Sequence, residues 1–85
     1  MRCPRGQRRI EGKCVYPKLV KDCRAVVRKF RRGADLKPMI DNLLEDYALD
    51  EETAEGRAKD SRIYGKKKVR WDDVYYVMLG AGEGW

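Results

Sequence analysis

Leu19, Val20, Cys23, Val26, Val27 and Phe30 recur at i, i+1, i+4, i+7, i+8 and i+11. That spacing lines one side of an α-helix and fits no other regular element. An apolar stripe of this length has to be buried, so it commits the chain to a helical core. Pro17 stands in the first turn, where its missing N–H costs nothing because that donor has no helical partner. Lys21, Arg24, Arg28 and Arg31 fall mostly off the stripe and make the other side cationic. Gly33 ends the helix, with Arg31 and Arg32 where positive charge complements the dipole.

Asp35 is a natural N-cap for a second helix, whose first turn tolerates Pro38. Leu36, Met39, Ile40, Leu43, Leu44, Tyr47 and Ala48 form its stripe. From Asp50 to Asp60 the chain is polar, and only Ala54, Ala58 and then Ile63 continue the apolar seam. Two arrangements fit: one long helix over about 36–64, or a break at Leu49 with Asp50 capping a separate helix. Gly56 weakens either by about 1 kcal/mol. A last helix, about 72–79, offers Val74, Val77 and Met78 to a core, with Trp71, Tyr75 and Tyr76 around them. An Asp opens it and Gly80 closes it. Ahead of it Lys66, Lys67, Lys68 and Arg70 form a basic loop in which Val69 is extended. That layout puts four cations beside a helix entrance, a geometry suited to a phosphate backbone.

All three cysteines, Cys3, Cys14 and Cys23, lie in the first 23 residues. Residues between Cys3 and Cys14 form a hairpin turning at Glu11-Gly12, and a Cys3–Cys14 disulfide would remove roughly 3 kcal/mol of unfolded-state entropy. In a reducing cytosol the same thiols would stay free. Cys23 falls on the apolar helix face and reads as a core residue. With no His in the chain, a zinc site would need a carboxylate or a second chain to complete four ligands. No metal and no cofactor are expected.

Charge is distributed unevenly. Residues 1–33 carry twelve Lys/Arg against two acids, residues 34–63 four against nine, and residues 64–85 four against three. A basic arm, an acidic middle and a basic loop point to a polyanion-binding face together with a face for a protein partner. Catalysis is hard to assemble: there is no His, Ser61 is the only Ser, no carboxylate pair sits in an apolar setting, and no Gly-rich phosphate loop is present. The expectation is a non-enzyme without a small-molecule substrate. No run approaches the length of a membrane span and no secretory signal is visible, so an intracellular chain is expected.

The order of elements resembles the histone fold: short helix, long helix, short helix, with Arg31-Arg32 and the Lys66–Arg70 loop at the joints. The likeness is closest over residues 65–79, where Val69, Asp73, Val74 and Met78 match family positions. It implies a pair between Asp73 and the basic residue seven places earlier, here Lys66, which lacks the two-pronged geometry of Arg. It also implies a homodimer, or a heterodimer with another histone-fold chain, burying Leu43, Leu44, Tyr47, Val74 and Met78. Arg31 and Arg32 of one chain would then stand beside Lys66, Lys67, Lys68 and Arg70 of the other and, together with Arg24 and Arg28, bind DNA without reading bases, as in chromatin. The acidic run after Leu49 departs from the family pattern. The segment Cys3-Pro4-Arg5-Gly6-Gln7-Arg8-Arg9-Ile10-Glu11-Gly12-Lys13-Cys14-Val15 resembles short Cys-Gly-Arg-Cys modules of large DNA virus proteins. That likeness implies a virus-encoded protein and a structural role in the virion, binding neighbouring subunits.

The expected fold is therefore all-α, histone-fold-like, with a small N-terminal Cys hairpin. Residues 1–16 form a basic arm, 17–80 the helical domain and 81–85 a flexible tail ending in Trp85. The expected function is dimerisation and DNA binding without sequence specificity, in chromatin-like packaging or as a transcription-complex scaffold. Its setting is the nucleus, a viral factory or the virion; the alternative is a minor capsid or assembly protein.

Overall fold

The computed structural model describes residues 2–81, with side chains as far as Met78. The tail from residue 82, with Trp85, lies outside the described residues. The chain opens with a hairpin of β1 (Arg8–Ile10) and β2 (Lys13–Val15). The strands are antiparallel, with Arg8 opposite Val15, Arg9 opposite Cys14 and Ile10 opposite Lys13. Glu11 (φ 49°) and Gly12 (φ 80°) make the turn; two positive φ values are what a two-residue type I′ connection requires. A Cys3–Cys14 disulfide closes the base of the hairpin, and Val15 is buried in the core.

Among the described residues four helices follow, α1 (Pro17–Arg31), α2 (Leu36–Asp46), α3 (Glu51–Ser61) and α4 (Trp71–Ala81), with a 3-10 turn at Ile63–Gly65 before α4. Leu19, Val20, Cys23, Val26 and Val27 of α1 are buried as the stripe requires. The helix closes in a Schellman motif: the Gly33 N–H donates to the Phe30 carbonyl and the Ala34 N–H to the Lys29 carbonyl, both at 3.0 Å. Gly33, at φ 102°, supplies the left-handed residue that motif needs.

The long central helix expected from the histone likeness does not form, and with a two-stranded sheet in front the molecule is not all-α. The described chain is mostly helical, with a two-stranded antiparallel sheet ahead of the helices. Tyr47 is the C-cap of α2, and Ala48 takes φ 51°. The Leu49 N–H then donates back to the Leu44 carbonyl at 2.9 Å, closing the helix with Ala where Gly is usual. Asp50 starts the next helix, its carboxylate accepting the Glu52 N–H at 3.2 Å and the Thr53 hydroxyl at 2.5 Å. Of the two arrangements open in the sequence, the capped break is the one that forms. Helix α1, with 15 residues against 11 for each of the others, is the longest rather than a short flanking element.

Two boundaries at the C-terminal helix also differ from expectation. Helix α4 runs through Gly80 to Ala81, so Gly80 does not stop it. At its start no Asp occupies the N-cap. Instead Asp73 reaches back to accept the Arg70 N–H at 3.0 Å, one half of a capping box.

Helix α4 packs against both α1 and α3, while α2 lies on α1. Val74, Val77 and Met78 of α4 are wholly buried with Ile40, Ile63 and Cys23. Ala54 and Ala58 are the only buried residues of α3, and their small side chains let its backbone approach α4. The Tyr75 hydroxyl accepts the Tyr16 N–H at 3.1 Å, tying α4 to the junction of hairpin and α1. The residues expected at a core or dimer face pack within this chain. Leu44, Val74 and Met78 belong to the core, and Leu43 and Tyr47 pack against it half-buried. Tyr47 donates its hydroxyl to Asp22 at 2.5 Å, and the Lys18 ammonium stands 5.6 Å from the centre of its ring.

Candidate functional site

Arg24, Arg28 and Arg31 lie at i, i+4 and i+7 of α1, so they project in one row roughly 10 Å long. The loop before α4 passes beside this row because Val69 and Trp71, either side of Arg70, are both buried. Two adjoining grooves result. One, of about 540 Å³, is lined by Glu11, Arg24, Val27, Arg28, Arg31, Arg70 and Trp71. The other, of about 560 Å³, is lined by Phe30, Arg31, Lys67, Lys68, Val69 and Arg70. Arg31 and Arg70 belong to both, which makes the two grooves one continuous basic face.

Six of the eight cations singled out in the sequence thus meet: Arg24, Arg28, Arg31, Lys67, Lys68 and Arg70. They do so within one chain, whereas the histone likeness required a second copy to bring them together. Arg32 and Lys66 line neither groove. Arg32 is the exposed C-cap of α1, and the Lys66 ammonium pairs with Asp73 at 3.5 Å. That ion pair is the one the family likeness implied, but it occurs here in a different arrangement of helices.

Trp71 organises the centre of the face. Its ring packs edge-on against Tyr75, 6.0 Å away at 82°. The Arg24 guanidinium lies 5.6 Å from a Trp71 ring centre, within reach of a cation–π attraction. The Trp71 indole N–H donates to Glu11 Oε2 at 2.9 Å. Arg70 is shared between two carboxylates and bonded to neither, with Nη2 4.0 Å from Glu11 and Nε 3.7 Å from Asp72. Asp72 Oδ1 is buried and lacks a hydrogen-bond partner among the described residues. Arg28, Arg31, Lys67 and Lys68 make no ion pair among the described residues. Their charge is therefore uncompensated and adds in the groove.

Glu11 and Trp71 were not among the expected site residues. They are 60 residues apart, and no local pattern in the chain signals that contact. Among the described residues no group of three His, Cys, Asp or Glu side chains comes together to hold a metal ion. None of the described helices is long and apolar enough to cross a membrane. The chain matches no family model, no curated protein and no solved structure.

Proposed function

We propose that this chain binds nucleic acid, duplex DNA first, through the phosphate backbone and without reading bases, and that it is not an enzyme. The supporting observation is the meeting of Arg31 and Arg70 in both basic grooves, flanked by Arg24, Arg28, Lys67 and Lys68. Guanidinium groups hold phosphate oxygens with two parallel bonds, and ammonium groups act as point charges beside them. Six cations on one face of a small domain contribute affinity through counterion release, which carries no sequence preference. A single chain presents the face, so DNA binding does not depend on dimerisation.

The test is a titration of random-sequence duplex DNA at increasing salt. Binding falls with a log–log slope of about −0.9 for each phosphate neutralised. A slope near zero, or no shift of the duplex at low salt, rejects the reading. The latter result would leave the basic face for an acidic protein surface, as in an assembly or virion subunit.

A further inference from the structure

The tip of the N-terminal hairpin rests on the basic face. Among the described residues Glu11 is the one carboxylate lining the groove of Arg24, Arg28, Arg31 and Arg70. Its Oε2 accepts the Trp71 indole N–H at 2.9 Å and stands 4.0 Å from Arg70 Nη2. A carboxylate held by an N–H donor beside a guanidinium occupies a place a phosphate oxygen would take, because both are oxyanions recognised by the same donors. Glu11 also holds φ at 49°, in a turn position where Asn, Asp or Gly is the usual choice. The chain adopts that unfavourable conformation at the residue whose side chain reaches the groove.

The crosslink is one of two supports of the hairpin, the other being Val15, buried in the core against which Ile10 also packs. Each strand has three residues, and a two-stranded hairpin of that size is marginal in water without help. Cys14 is exposed and Cys3 half-buried, so the disulfide is open to a small thiol. Cys23 is buried, with its thiol pushed up to about 12, first by burial and then by Asp22. It takes no part in exchange with the other two, since the thiolate is the attacking species.

Building on the polyanion reading above, we propose that the hairpin is a redox-set latch on the basic groove. With the disulfide closed, Glu11 occupies the oxyanion position and competes with incoming phosphate. A dithiol reductant supplies two electrons and two protons. The bond between the Cys3 and Cys14 sulfurs breaks, two thiols form, and the reductant leaves as its own disulfide. The tip is then released, Arg70 and the Trp71 N–H turn to the ligand, and the groove binds a phosphate backbone more tightly.

The experiment measures affinity for a short fluorescent random-sequence duplex at fixed salt. It compares oxidised protein, protein in excess dithiothreitol, Glu11→Gln, the Cys3→Ser/Cys14→Ser pair, and Glu45→Gln. The last removes an exposed charge of α2 that lines neither basic groove. Reduction and Glu11→Gln each tighten binding by roughly two- to fivefold, the scale of one exposed ion pair. The Cys3→Ser/Cys14→Ser pair matches the reduced protein, and Glu45→Gln changes affinity less than Glu11→Gln. Reduction of Glu11→Gln adds nothing further, because both changes act through the same carboxylate. In a Trp85→Phe background the emission of Trp71, then the sole Trp, shifts on reduction. Equal binding by oxidised and reduced protein, or equal effects of Glu11→Gln and Glu45→Gln, overturns the latch while leaving DNA binding intact. Failure of every form to bind overturns the polyanion reading, and the latch with it.

Discussion

Cys23 shows how one side chain can make stability depend on pH. Burial, and then the nearby Asp22 carboxylate, push its thiol from 9.0 up to about 12. A raised folded value means the folded state keeps its proton longer than the unfolded chain does. The stabilisation is fully present below pH 9.0 and is lost as pH rises toward the folded value. The expected loss is about 1.4 kcal/mol per pH unit above the unfolded value. Urea unfolding of oxidised protein on either side of that pH measures it. Tyr47 and Tyr75 are also raised by burial and add a loss at higher pH, so the slope missing from Cys23→Ala isolates the thiol. An unchanged slope in that variant would refute the assignment. The apolar role of Cys23 was legible from its place on the stripe. The role of Glu11 was not, because hairpin geometry and the fold of α4 together bring it to Trp71.

At the scale of elements, the break between α2 and α3 is the main difference between sequence and structure. The polar run after Leu49 fits a solvent-facing stretch of one long helix as well as a short separate helix. What decides is local: Ala48 accepts a left-handed conformation, and the Asp50 carboxylate takes the Glu52 N–H and the Thr53 hydroxyl. The Thr53 hydroxyl in particular holds the Asp50 carboxyl below its ordinary range. Asp50→Ala is therefore expected to fray the first turn of α3, seen as a loss of far-ultraviolet ellipticity, whereas Asp35→Ala changes little because the Asp35 side chain makes no cap bond. The α3–α4 contact rests on Ala54 and Ala58, each 1% exposed. Ala58→Leu should destabilise the protein by about 1–3 kcal/mol through overpacking, read from the urea midpoint. A neutral result would mean that α3 is free to move away from α4.

For the whole molecule, the charge pattern along the chain becomes a surface. The excess of cations in residues 1–33 and the basic loop at 66–70 are far apart in sequence, and α4 packing on α1 brings them together. The Arg31→Ala/Lys68→Ala pair should reduce the magnitude of the salt slope for DNA by about 1.8, two phosphate contacts at about 0.9 each. Arg32→Ala, whose side chain lines neither groove, should leave it nearly unchanged. Equal effects of the two variants would show that binding follows net charge rather than this face.

The amino-acid sequence by itself determined the stripe of α1, its closure at Gly33, the hairpin turn at Glu11-Gly12 and the residues that carry charge. Each is a local property, set by periodicity or by the conformations a residue tolerates within a few neighbours. Only the tertiary structure decided that α2 and α3 separate, that Leu44, Val74 and Met78 fill one chain's own core, and that Glu11 meets Trp71 on the basic face. Those outcomes depend on which apolar surfaces find each other across tens of residues, and burial is a property of the assembled packing rather than of any segment within it.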